Sequence, residues 1–231
     1  MNIFVNKITN NLKNMNIFSN KFKFTNLFFL CVVIIVGLIF LAYQYNVNYF
    51  YYNGIYEQNM FPVDKFNKIK DICSQINDNA MVEDPKAHGR LMYTFMPNDP
   101  IVDLINSNDF IEKVQKLTGN YNIIPSTTVP VEYRKYKIGA YMDWHRDTIM
   151  LKNQLQYECV ITVTNDSDSE TLFDKTLYTS HITSEPNSLV IVRAAGVNHM
   201  VTKLSKGERT IIKLVFCEKG ITEEPIFTEK Y

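Results

Sequence analysis

The sequence predicts an α+β domain, helices first and antiparallel strands afterwards, preceded by a single transmembrane helix. Three observations carry this. Leu27 to Ala42 (LFFLCVVIIVGLIFLA) run without a charge or a strong polar group. From Asp64 to Leu117 apolar residues recur at helical spacing. Beyond residue 120, short runs rich in Val, Ile, Thr and Tyr alternate with polar turns.

The apolar run comes first. With Thr25, Asn26, Tyr43, Gln44 and Tyr45 at the headgroups it is long enough to span a bilayer, which needs about 20 residues. It has no amphipathic stripe, so a buried helix of a soluble domain fits it poorly. The long segment before it and the absence of an A-x-A-like site after it favour an uncleaved signal anchor over a cleaved signal peptide. Lys7, Lys13, Lys21 and Lys23 precede the run, and the first acidic residue of the chain is Glu57. The basic side is expected to stay cytoplasmic. The expected organisation is therefore a cytoplasmic segment 1–26, a transmembrane signal anchor 27–45, a Tyr- and Asn-rich stalk 46–60, and a domain 61–231. That domain would face a lumen, as in the endoplasmic reticulum and secretory pathway, or the outside.

Composition bounds what the domain can be. The 231 residues carry 24 Lys+Arg against 24 Asp+Glu, and 46% are apolar. That balance is globular and argues against a nucleic-acid partner held by bulk charge. Four cysteines without a C-x-x-C pair exclude a zinc ribbon.

Within the domain, Phe66, Ile69, Cys73 and Ile76 place a helix over Asp64–Ile76. Asp99-Pro100 reads as an N-cap followed by proline at the first helical position. A second piece, Asp109–Leu117, ends at Gly119 as C-cap. The expected strands are Val129–Lys137, Tyr141–Trp144, Tyr157–Thr164, Thr171–Phe173, Leu189–Val192, Met200–Leu204 and Arg209–Cys217. Many short strands with polar turns point to a sandwich or barrel, with the helices buttressing one sheet.

The chemistry-bearing residues lie in the strand half. His145-Arg146-Asp147 puts a histidine and an aspartate two apart, which in a strand share a face. His199 follows on a later strand. Two histidines and a carboxylate are the ligand set of non-haem Fe(II) oxygenases. Gly207-Glu208-Arg209 then opens the last strong strand, where Arg209 would offer a guanidinium fork to a carboxylate.

In this order the residues resemble a known family. Tyr136-Lys137-Ile138-Gly139 leading to His145-Arg146-Asp147, the strand Tyr157 to Asn165, and Ser169-Glu170-Thr171-Leu172-Phe173 are similar to segments of the 2-oxoglutarate and Fe(II)-dependent dioxygenases, on the prolyl 4-hydroxylase-like branch. So are Pro186 to Val192 with His199, and Gly207-Glu208-Arg209. The resemblance covers residues 133–217. It implies a double-stranded β-helix (jelly-roll) core with N-terminal supporting helices. It also implies Fe(II) held by His145, Asp147 and His199, and 2-oxoglutarate anchored by Arg209 with Tyr136 as the assisting hydroxyl. O2 would be the second cosubstrate and ascorbate an optional reductant. The implied reaction hydroxylates a C–H bond of a polypeptide or small molecule, a peptidyl proline by analogy with the branch, and releases succinate and CO2. The alternatives are a non-catalytic jelly-roll binding protein or a cupin-like enzyme of another metal.

There are departures. Asp168-Ser169 replaces the family's G-G. Arg209 stands where animal collagen prolyl hydroxylases generally use lysine, which counts against a collagen-type substrate. Among the remaining residues, Trp144 is expected to pack rather than touch substrate, and Glu158 and Arg146 to point away from the cavity. His88 and His181 belong to no motif and are expected on the surface. Cys159 and Cys217 are expected as buried thiols, and Asn165-Asp166-Ser167 is a glycosylation sequon if the domain is lumenal. Nothing in the sequence fixes the oligomeric state.

Overall fold

The computed structural model describes residues 28–42, 49–175 and 177–226. The chain divides after Tyr49 into two units, Met1–Tyr49 and Phe50–Tyr231. In the first, residues 28–42 form helix α1, and its large apolar side chains from Phe28 to Leu41 are exposed. At about 1.5 Å per residue this helix is about 22 Å long, against about 30 Å for a hydrocarbon core. Among the described residues no helix is long and apolar enough to cross a membrane. The expected segment 1–26 and the rest of the expected anchor 27–45 lie outside the described residues.

The later elements are α2 (Tyr49–Tyr52), β1 (Ile55–Glu57), α3 (Val63–Ser74), a 3-10 turn (Asp78–Ala80), β2 (Val82–Glu83), β3 (His88–Thr94), α4 (Pro100–Ile105) and α5 (Asn108–Thr118). The strand half adds β4 (Ile123–Pro125), β5 (Glu132–His145), β6 (Gln156–Asn165), β7 (Thr171–Asp174), β8 (Thr179–Ile182), β9 (Ser188–Arg193), β10 (His199–Val201) and β11 (Arg209–Glu218). All strand pairs are antiparallel, in the order β1-β9-β6-β11-β5-β10-β7-β8, with β3 also on β5 and β4 on β11. The arrangement is the jelly roll expected of the sequence.

One strand closes it. The expected strands Val129–Lys137 and Tyr141–Trp144 are two halves of β5. Residues Glu132–Tyr136 pair with β11, and Met142 and His145 pair with β10. Between them Gly139 sits at φ +91°, where a side chain would be strained, and its N–H donates to the Leu204 carbonyl. The chain thus turns from the large sheet into the small one.

Strand alternation then sorts two interiors. Tyr157, Cys159 and Ile161 of β6, Leu189 and Ile191 of β9, and Ile212, Leu214 and Phe216 of β11 face the helices. They meet Phe66, Ile69 and Cys73 of α3, Ile101 and Ile105 of α4, and Phe110 and Val114 of α5. Phe110 stacks on Phe61 at 4.9 Å and lies 6.2 Å from Phe216, so it ties helix to sheet. Its truncation to alanine should cost about 3–5 kcal/mol. The alternate residues of the same strands face the barrel interior, which holds the site.

The helix ends follow the sequence in part. Gly119 caps α5 in the left-handed region at φ 66°, as its position predicts. Asp99 precedes Pro100 as expected, but its side chain makes no cap bond and accepts from Met96 N–H at 2.8 Å. The described part of the expected stalk is no stalk. Ile55–Glu57 pairs with β9, Phe50 meets Tyr157 edge-on at 5.1 Å, and Met60 is buried. Aromatics of this Tyr- and Asn-rich segment complete the edge of the domain instead.

Candidate metal and anion site

His145 ends β5, and His199 begins β10 directly opposite it. The register slips by one residue between the His199–His145 and Val201–Met142 pairs, a β-bulge on β5 at Asp143-Trp144. The bulge resets the alternation, so Met142 and His145 both line the cavity although they are three apart. It also aims the Asp143 carbonyl at His145 Nδ1, 2.7 Å away. His199 Nδ1 lies 3.1 Å from the Val197 carbonyl. Each carbonyl accepts a hydrogen bond from Nδ1–H, which leaves the Nε2 lone pair free to ligate a metal. Asp147, just past β5, faces both, with Oδ1 3.6 Å from His145 Nε2 and Oδ2 3.7 Å from His199 Nε2. One ligand atom from each of the three lies within 4.8 Å of the others.

The electrostatics fit a cation. Burial works against the Asp147 carboxylate, but His145 and His199, with Lys213 behind them, hold its pKa well below the usual range. Burial also lowers His145, yet Asp147 and the Asp143 carbonyl outweigh it and raise that pKa. For the deeper His199, burial prevails and the pKa falls. A stably ionised carboxylate between two imidazoles whose Nε2 atoms converge is a donor set for a divalent transition metal.

Arg209 lies in the same cavity, 2% exposed. It donates to Thr171 Oγ1 at 3.1 Å and Ser184 Oγ at 3.3 Å, and its Nε has no partner. The other cavity arginines are neutralised. Arg90 pairs with Asp84 at 2.6 Å, and Arg134 pairs with Glu132 at 2.5 Å. No carboxylate of the described residues lies within 4.0 Å of Arg209. Desolvation, with Arg90 nearby, lowers its pKa. A buried guanidinium without a counter-ion is expensive, and an anionic ligand would offset that cost.

The residues before Arg209 are locked. Asp168, in place of the family's glycine, accepts from Ser205 and Lys206 N–H and bonds the Ser205 hydroxyl. Asp166 Oδ1 accepts Glu208 N–H at 2.6 Å. Gly207 sits at φ +70°, where a Cβ would lie 2.4 Å from the Asp166 carbonyl oxygen. The departure in the turn therefore replaces glycine flexibility with a carboxylate latch that fixes where β11 begins. At the adjoining end of β6, Asn165 Nδ2 donates to the Ser184 carbonyl at 2.9 Å.

Tyr136 also lines the cavity, its hydroxyl 2.5 Å from Arg90 and its ring 5.8 Å from the Arg209 guanidinium. The structure thus brings His145, Asp147, His199, Arg209 and Tyr136 into one cavity. Sequence reading missed Arg90, because β3 carries no family motif. It misplaced Glu158, which is buried in the cavity wall and bonded to Lys213 at 3.0 Å. Burial and the Asp147 charge push the Glu158 carboxyl up to about 7, against the pull of Lys213. His88 and His181 are exposed as expected, with Asp143 and Glu170 as respective partners. Cys159 and Cys217 are buried free thiols.

No family model and no curated protein matches the chain. Solved structures do. A prolyl 4-hydroxylase of Pseudomonas putida matches at TM-score 0.58 and 11% identity, over 73% of this chain and 93% of that one. HygX of Streptomyces hygroscopicus, with nickel and 2-oxoglutarate bound, matches at 0.57 and 9%, over 79% and 87%. A prolyl hydroxylase of Trichoplax adhaerens, in complex with a hypoxia inducible factor peptide fragment, matches at 0.55 and 11%, over 75% and 86%. The chain has the fold of the 2-oxoglutarate/Fe(II) oxygenases, prolyl hydroxylases among them.

Proposed function

We propose that this chain is an Fe(II)- and 2-oxoglutarate-dependent dioxygenase that hydroxylates a C–H bond, with peptidyl proline as substrate. The observation that carries it is the pairing, in one cavity, of the His145–Asp147–His199 donor set with the unneutralised Arg209. A cupin-like metal enzyme would leave that buried cation unexplained, and 2-oxoglutarate turnover separates the enzyme from a binding protein.

His145, Asp147 and His199 would hold the metal, and their second contacts set them for it. The Nδ1 contacts to Asp143 and Val197 orient the imidazoles, and Asp147 supplies the anionic ligand. Arg209, steadied by Thr171 and Ser184, would take the far carboxylate of 2-oxoglutarate with its free Nε and remaining N–H groups. The Tyr136 hydroxyl, accepting from Arg90, keeps its own proton to donate. Val160, Val190, Val192, Val201 and Ile211 line the rest and exclude water. Bound iron would supply O2 activation, one oxygen atom going to succinate as CO2 leaves and the other to the product hydroxyl. The peptide bound by the Trichoplax neighbour supports a polypeptide substrate.

The test is 2-oxoglutarate-dependent succinate formation by the full chain, with Fe(II), beside His145→Ala and Arg209→Met. Turnover that needs His145 is expected. A folded chain that binds metal but neither binds nor consumes 2-oxoglutarate sinks the reading.

We propose also that residues 27–45 anchor the chain, with the N-terminus cytoplasmic and the domain lumenal or extracellular. The lysines before the apolar run and the exposed apolar face of α1 support this. Digestion of residues 50–226 by protease added to sealed membranes would overturn it.

A further inference from the structure

The bulge that turns His145 inward pushes its two neighbours outward. Asp143 and Trp144 are exposed, Trp144 by 44%. They form one wall of a surface cleft whose other wall is the Pro85–His88 turn. Met142 and His145 line both this cleft and the interior cavity, so the two adjoin through a candidate metal ligand. The cleft offers ≈ 180 Å³ against ≈ 50 Å³ inside. The interior is small, so the body of any larger substrate must lie outside it.

The cleft is lined by rings. His88 stacks on Tyr141 at 4.3 Å, with the planes 14° apart, and its Nε2 lies 3.3 Å from Asp143. Pro85 and Trp144 add apolar surface. The exposed Trp144 contrasts with the packing role its sequence suggests. Aromatic faces in a surface groove recognise proline-rich segments, whose rings stack flat and whose extended helix costs little entropy to bind.

We infer that this cleft is the peptide subsite, with the Trp144 indole as platform for a prolyl ring flanking the residue that is oxidised; the inference rests on the dioxygenase reading above. Trp144 is the single tryptophan of the chain, so its fluorescence reports on this cleft alone. The test uses the full chain with Fe(II) and poly-L-proline, and for turnover 2-oxoglutarate and air. The peptide should protect Trp144 saturably from acrylamide quenching. Trp144→Ala should raise the peptide KM about tenfold with kcat within about twofold, and Trp144→Phe should recover most of the loss. A peptide that is hydroxylated while Trp144 stays equally quenchable, or a Trp144→Ala KM unchanged, overturns the subsite and leaves the dioxygenase standing. Neither protection nor hydroxylation overturns the subsite as well, and succinate formed from 2-oxoglutarate alone then shows the dioxygenase reading intact. Protection without any succinate supports the cleft and refutes the chemistry.

Discussion

Replacing Arg209 by methionine separates its two duties. In the free protein the guanidinium is buried, holds two hydroxyls and leaves Nε without a partner. Its removal relieves the desolvation of an unneutralised cation and loses two neutral acceptors worth about 1 kcal/mol each. These nearly cancel, so the free variant should melt within a few degrees of the parent. With 2-oxoglutarate the balance changes. Two charge-assisted bonds to a carboxylate are worth about 1.5–3 kcal/mol each, so Kd should rise at least about 100-fold. At a ligand concentration about 100 times the parent Kd, the parent gains about 2.7 kcal/mol and the variant about 0.4. At about 2–4 °C per kcal/mol for a domain of this size, this is about 5–10 °C against about 1 °C. The assay is a thermal melt with Fe(II) and 2-oxoglutarate under nitrogen, where no turnover occurs. A variant that still gains several degrees refutes the assignment of Arg209 as anchor.

Three further outcomes are expected. Lys213→Met should destabilise the domain by about 3–5 kcal/mol in urea, because Glu158 loses its buried partner, and adding Glu158→Leu should recover most of it; a double variant no better than the single one refutes the pairing. Gly207→Ala, strained at φ +70° and driven into the Asp166 carbonyl, should cost about 2 kcal/mol or more and weaken 2-oxoglutarate binding through Arg209. The Glu223 carboxylate accepts from Ser126, Thr127 and Thr128, and despite some burial these bonds lower its pKa to about 2. Its stabilisation is present above the ordinary value of 4.5 and is lost as pH falls from there towards 2. Glu223→Gln should cost about 1 kcal/mol at neutral pH, discounted for partial exposure, and flatten acid unfolding in that window; an unchanged acid limb would count against it.

The site was legible because its chemistry is carried by residue type and order. His145, Asp147, His199 and Arg209 keep their sequence whatever the sheet does between them. What alternation cannot tell is whether the polar face of a strand meets water or a polar cavity. Glu158 and Lys213 alternate with apolar neighbours as solvated residues would, yet both faces of β6 and β11 are buried. The bulge at Asp143-Trp144 was invisible for a related reason. A one-residue slip leaves composition and periodicity nearly unchanged but reverses which side chains look inward. The edge strands β1, β2 and β8 were missed because each is short and borrows its order from the strand it joins.

The Asn165 amide has a bearing on how the chain's compartment can be established. In the folded domain the nitrogen that would carry a sugar donates to Ser184, whose hydroxyl also steadies Arg209. Oligosaccharide transfer and completion of the barrel thus compete for one atom. A glycan added during synthesis would pry the β6–β7 turn from the residue that holds the anion site. A chain that folds promptly would escape the transferase even inside the lumen, so a bare Asn165 would not distinguish a lumenal address from a cytoplasmic one.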